Sequence, residues 1–155
     1  MQVSIVEFPQ TRVATLRHTG SRADEHDTVR RLVAWKLANG LTDPARHRHY
    51  GLHYVDLRDP DHYRVDFCLS IDQPVELNEY GIVEGTIPAL RCALARDVGS
   101  RTDNQAARHL YEAWLPASGE QLSDFPAIFH YVNAGPQVTA EQAITDVYLP
   151  LKDVR

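Results

Sequence analysis

The chain has 155 residues and a formal charge of −5, with 16 Lys and Arg against 21 Asp and Glu. That balance weighs against direct nucleic-acid binding, which is driven by clustered cations releasing counterions. The length suits a single domain, or two closely packed halves, whose core needs no staples.

Cys68 and Cys92 sit in apolar segments and read as small buried hydrophobes in a reducing compartment. The N-terminus shows no basic region followed by an apolar run, and no stretch approaches membrane-spanning length, so a cytoplasmic protein without membrane contact is expected.

In chain order, Val3 to Val6 and Arg12 to Arg17 are extended runs separated by Pro9, forming one kinked strand that turns at Thr19-Gly20-Ser21. From Ala23 the spacing becomes helical. Asp24 is the expected cap, Val29, Leu32, Val33 and Leu37 form the apolar stripe with Trp35 to its side, and Gly40 closes the helix. The basic loop Arg46-His47-Arg48-His49 reads as solvated. Tyr50 to Leu57 and Tyr63 to Ile71 read as paired strands joined by a turn at Arg58-Asp59-Pro60-Asp61, with Val65, Phe67 and Leu69 on one face and Asp66 and Cys68 on the other.

After the polar junction Gln73 to Tyr80, the order recurs. Gly81 to Val98 is a second kinked strand, with Pro88 where Pro9 stood. A second helix is expected to be capped by Thr102 or Asp103 and ended by Pro116, with Ala107, Leu110, Tyr111, Trp114 and Leu115 on one face. A last hairpin follows from Phe125 to Asn133 and Ala143 to Leu151, with Ala134-Gly135-Pro136-Gln137 opening its connection.

Specific residues recur at an offset of 79: Pro9 and Pro88, Arg17 and Arg96, Gly20 and Gly99, Trp35 and Trp114, Gly40 and Gly119. Asp66 and Asp146 recur at 80. This is the mark of an internal duplication. The expected fold is α+β: two pseudo-symmetric βαββ repeats, 1–75 and 80–155, sharing an antiparallel sheet with two main helices, in a single domain with a cleft at the pseudo-twofold axis.

Among candidate chemical groups, His47, His49 and His53 share a strand parity and His62 could approach them, yet no Cys or acid completes a metal-binding spacing. There is no nucleophile elbow, phosphate loop or metalloprotease helix. Asp66 and Asp146 could form an acid-base pair if both faced a cleft, but the plainer expectation is two polar residues at exposed sheet positions. No metal and no cofactor is expected.

With these segments read, the chain resembles the GyrI-like small-molecule-binding domain. That family includes gyrase-inhibitory proteins and the effector-binding parts of some AraC-type and MerR-type transcription regulators. The resemblance is carried by Arg17-His18-Thr19-Gly20, Tyr50-Gly51-Leu52-His53-Tyr54, Arg64-Val65-Asp66-Phe67-Cys68, Trp114-Leu115-Pro116-Ala117-Ser118-Gly119, Tyr131-Val132-Asn133 and Asp146-Val147-Tyr148-Leu149-Pro150-Leu151. It implies an aromatic-lined, multidrug-type pocket for bulky apolar compounds at the junction of the repeats, with Tyr54, Tyr111, Trp114, Phe129 and Tyr131 as ligand-binding residues.

Family members that take cations carry a Glu where this chain has Phe129. The resemblance therefore implies neutral aromatic ligands, or recruitment of another acid such as Asp66 or Glu112. The expected function is a stand-alone sensor or sequestering module, more a binder than an enzyme. Its alternatives are a hydrolase of electrophilic natural products using the same pocket and an inhibitor that docks on a target such as DNA gyrase. All 155 residues are consumed by the repeats. Control of promoters is therefore expected to need a partner carrying the DNA-binding domain.

Overall fold

The computed structural model describes residues 1–55, 63–101, 103–135 and 137–153. The expected turn at 58–61, His62, the Thr102 cap and Pro136 lie outside them. The described strands are β1 (Ser4–Phe8), β2 (Thr11–Thr19), β3 (His49–Val55), β4 (Tyr63–Ser70), β5 (Val83–Ile87), β6 (Leu90–Val98), β7 (Ala127–Tyr131) and β8 (Ile144–Pro150). The pairs β1–β6, β6–β8, β7–β8, β3–β4, β2–β4 and β2–β5 are antiparallel, and with two main helices the class is α+β, as the repeats predicted.

The chain divides into two compact units, the first Met1–Pro9 with Pro88–Arg155 and the second Gln10–Ile87. In the first unit the strand order is β1-β6-β8-β7, and in the second it is β3-β4-β2-β5. Each repeat's leading strand thus belongs with the other repeat's remaining strands. The kink expected at each proline is where this exchange happens: Pro9 and Pro88 have no N–H to give a ladder, so a run that reads as one bent strand becomes two strands with different partners. β1 and β5 show the same burial sequence along their length, and β2 and β6 differ only at their first two positions. The duplication therefore extends to packing.

Helix α1 (Glu25–Ala38) buries Thr28, Leu32 and Trp35. This corrects the predicted stripe, since Trp35 is 6% exposed and Leu37 is 61% exposed. At about 100° per residue, Trp35 lies roughly 60° from Leu32 around the helix and Leu37 about 140° away. Asp24 makes no side-chain cap either. A 3₁₀ turn, Arg22–Asp24, leads into α1, and the Ser21 hydroxyl accepts from the Ala23 N–H at its start.

Thr28 is a polar residue on the buried face because His18 satisfies it. The His18 Nε2–H donates to the Ser21 carbonyl (2.7 Å), and in the neutral ring Nδ1 accepts from the Thr28 hydroxyl (2.9 Å).

The second helix, α2, runs from Gln105 to Ser118 in three pieces: an α-helical segment Gln105–His109, a π-helical turn Leu110–Trp114 and an α-helical segment Leu115–Ser118. Its cap is Asn104, whose Oδ1 accepts from Ala107 N–H, rather than Asp103. Pro116 does not end it. A proline inside a helix has no N–H for the carbonyl four residues back and crowds it. The ladder yields there by widening, so that Leu115 N–H reaches the carbonyl of Leu110. The helix stops at Gly119, whose φ of +75° is the left-handed conformation that favours glycine.

Candidate functional site

The cross-strand register builds the α2 side of the first unit in rows. Ala95, Val147 and Phe129 form one row, and Asp97, Thr145 and Tyr131 form the next. The buried part of this face is rich in small or short side chains, Ala93, Ala95, Ala106 and Val147, each at most 1% exposed, with Leu110 and Leu149 among them. Tyr111, Trp114 and Phe129 pack half-buried against them. The aromatic rings thus stand half-buried at the margin of an alanine-rich face. Burial alone pushes the Tyr111 hydroxyl pKa up.

Tyr131 lies two residues beyond Phe129 on the same side of β7. The guanidinium carbon of Arg101 stands 5.4 Å from the centre of its ring. The π-helical turn positions α2's share of this set, since Tyr111 and Trp114 both fall within it. Such turns occur often at functional sites.

The equivalent rows of the second unit hold different residues. Leu16, Phe67 and Gly51 align in one, and His18, Val65 and His53 in the other. Here the bulk sits in the middle strands. Burial, with a smaller contribution from Arg22, pushes the His53 pKa down to about 4.

Tyr54 and Asp66 project from the opposite face of this sheet, away from α1. Asp66 accepts from Arg17 Nε at 3.1 Å and from Arg64 Nη2 at 3.1 Å. Tyr54 lies under the Arg64 guanidinium, 3.7 Å from ring centre to carbon. At the matching place in the first unit, Asp146 receives Arg96 through Nε at 2.8 Å and Nη2 at 3.0 Å.

Of the seven predicted ligand-binding residues, the structure brings Tyr111, Trp114 and Phe129 together, with Tyr131 beside them. Glu112 belongs to the same unit but is exposed. Tyr54 and Asp66 lie in the second unit, on the face away from its helix. The sheet positions expected to leave Asp66 and Asp146 exposed instead bury them, to 5% and 8% exposure, because each carboxylate is satisfied by arginine within its own unit.

Sequence reasoning missed Asp97 and Arg101. Asp97 is 4% exposed, and its Oδ1 accepts from the Gln105 and Ala106 amides at the start of α2. The offset of 79 that pairs Arg17 with Arg96 also pairs His18 with Asp97 and Arg22 with Arg101, and was the available signal.

A separate hollow of about 220 Å³ lies in the second unit, lined by Trp35, Asn39 and Tyr80 among others, and holds none of the seven. The predicted histidines also disperse. His47 donates through Nδ1 to the Ser70 carbonyl, and His49 Nε2 accepts from Lys36 Nζ. Among the described residues no group of three or more His, Cys, Asp or Glu is placed to hold a metal, and no helix is long and apolar enough to cross a membrane.

A duplicated antiparallel scaffold with an aromatic set beside a helix is the architecture of a small-molecule-binding domain. The chain belongs to the GyrI-like family: the GyrI-like small molecule binding domain matches residues 1–152. It is 34% identical over 154 residues to YgiV of Escherichia coli (strain K12), described as a probable transcriptional regulator, covering 97% of this chain and 96% of that one.

The fold is shared with the EcmrR C-terminal domain at a TM-score of 0.73 and 16% identity, with 99% of this chain and 98% of that one covered. Against the longer EcmrR chain, solved in complex with DNA, the TM-score is 0.77 at 18% identity; the match takes in 99% of this chain and 58% of that one. SAV2435, solved bound to tetraphenylphosphonium, superposes at a TM-score of 0.57 and 10% identity, with 98% of this chain and 94% of that one covered.

Proposed function

We propose that this protein captures a bulky, largely apolar aromatic compound against Tyr111, Trp114, Phe129 and Tyr131, and acts as a sensor or sequestering module. The observation that carries the reading is the first unit's alanine-rich floor with three aromatic rings packed half-buried at its edge. Such rings offer large stacking area, and the tyrosine hydroxyls add a few polar contacts. SAV2435 and its aromatic ligand support the same kind of use for this fold. Relatives described as regulators, and a longer relative solved with DNA, support a role in transcription control exercised through a partner that reads DNA.

Binding is favoured over turnover by the side chains on this face. Asp97 is committed to the α2 amides, and Glu112 faces solvent, so neither is placed as a general acid or base against a ligand on the rings.

The test is a fluorescence titration with planar aromatic compounds, neutral and matched cationic, using Trp35→Phe so that Trp114 is the reporter. Neutral compounds should bind better in the parent, and Phe129→Glu should shift preference toward the cations. A phenyl ring offers a cation only about 0.5 to 2 kcal/mol, less than a desolvated carboxylate. Unchanged Trp114 emission with every compound, in both proteins, would overturn this placement of the site.

A further inference from the structure

We infer that Arg101 gives this aromatic face its charge preference, and that the ligand class it selects is an aromatic carboxylate. The inference rests on the proposed binding face and adds the polar end of the ligand to it.

The first observation is how Arg101 is held. Its Nε donates to Thr145 Oγ1 at 3.2 Å. Its Nη2 donates to the Asn133 carbonyl (2.8 Å), Asn133 Oδ1 (3.2 Å) and the Ile144 carbonyl (3.1 Å). All four acceptors are neutral. Asn133 is itself fixed, with its Nδ2 on the Gln142 carbonyl and its Oδ1 receiving the Ile144 N–H. The guanidinium is therefore locked in place before any ligand arrives, so little ordering cost remains on binding.

The second observation is what Arg101 lacks. Among the described residues it forms no ion pair, and its Nη1 makes no hydrogen bond. Burial lowers its pKa, as desolvation without a counter-charge must. Two other half-buried arginines contrast with it: Arg91 of the first unit's strands has Glu120, as Arg64 in the second unit has Asp66.

The third is position. The guanidinium stands over the edge of the aromatic row at Tyr131, and among the described residues the face supplies no carboxylate that pairs with it. Asp97 is spent on two helix amides, Asp103 pairs with Arg108, and Glu112 points to solvent. A ring stacked on Phe129 and Trp114 with a carboxylate toward Tyr131 would give Nη1 its missing partner.

The test is calorimetric titration with three probes of one shape: naphthalene-2-carboxylate, naphthalene-2-carboxamide and naphthalene-2-methylammonium. A charge-assisted hydrogen bond to a partly desolvated guanidinium should make the carboxylate bind about 10- to 100-fold tighter than the carboxamide. Arg101→Gln should erase that ratio, and Arg101→Lys should keep part of it.

Because Arg101 also ties down Asn133, a second measurement uses the parent protein alone. Raising salt should weaken the carboxylate several-fold and leave the carboxamide unchanged. Equal affinities for carboxylate and carboxamide, or a salt-independent carboxylate, overturn the inference while the binding reading stands. No binding of any probe overturns both.

Discussion

His53→Leu should reduce the protein's loss of stability between neutral pH and pH 5. In the fold, His53 shares a row with His18 and the fully buried Val65, on the α1 side of the second sheet. Burial first, and Arg22 second, push its pKa down to about 4. An unfolded histidine titrates near 6.5. Between those values the unfolded chain binds a proton that the folded one refuses, so stability is intact above about pH 7 and falls as pH drops through the window. With these two values the loss is about 2 kcal/mol at pH 5 and approaches roughly 3 kcal/mol below pH 4.

The assay is urea unfolding of parent and His53→Leu at pH 7.5 and pH 5.0. For a typical urea dependence, 2 kcal/mol is a midpoint shift of about 1 M. The variant has its own cost at pH 7.5, which cancels because only the change with pH is compared. If parent and variant lose the same midpoint on acidification, His53 is not the group that resists protonation, and the reasoning fails.

Asp97→Ala should cost about 2 to 3 kcal/mol by denaturant unfolding, since it strips two buried α2 amides of a charged acceptor at a helix start. Asp97→Asn, which keeps an oxygen there, should cost clearly less. Asn104→Ser should leave the unfolding midpoint unchanged or raise it. Asn104 Nδ2 is a buried donor with no partner among the described residues, and a serine hydroxyl retains the cap without that group. In acrylamide quenching, Trp35→Phe should leave most of the accessible emission in place and Trp114→Phe should remove it, because Trp35 is shielded and Trp114 is half-buried.

The duplication, the α+β class and the strand positions were legible because they are written in local chemistry: prolines, glycines and apolar alternation recurring at one offset. Three misreadings share a physical origin. Leu37 and Trp35 exchanged places because the stripe Val29, Leu32, Val33 and Leu37, though helically spaced, lies to one side of the buried face, which takes in the polar Thr28. Pro116 reads as a stop, whereas the turn before it widens to a π-helical one and the helix runs on to Gly119. Asp66 and Asp146 read as exposed because a lone carboxylate on a strand usually is. Their cross-strand partners Arg17 and Arg96 are 49 and 50 residues away in sequence, and only register brings them opposite. The aromatic set was legible in part, since Tyr111 and Trp114 share a helix face and Phe129 and Tyr131 a strand face. The charge beside it was not, because Arg101 precedes the helix in a polar stretch with no pattern of its own.

The two units also separate what the scaffold requires from what it leaves open. Both keep an arginine-aspartate cross-strand pair at the same place, Arg17 with Asp66 and Arg96 with Asp146. Both tie the last turn of that strand to the start of the helix, through His18 in one and Asp97 in the other. Those are the joints that hold a helix against three strands, and each can be built with different atoms provided the hydrogen bonds close. On the helix side one row is shared, Ala14 with Leu69 matching Ala93 with Leu149, and the next differs: Leu16, Phe67 and Gly51 fill the middle of one sheet, while Ala95, Val147 and Phe129 leave it low and put the ring at the margin. A core that needs only filled volume has no reason to carry its largest side chain half exposed when the central positions would bury it. The displacement of bulk from centre to edge in one unit alone, next to the one arginine there without an acid among the described residues, is the asymmetry on which the proposed binding face rests.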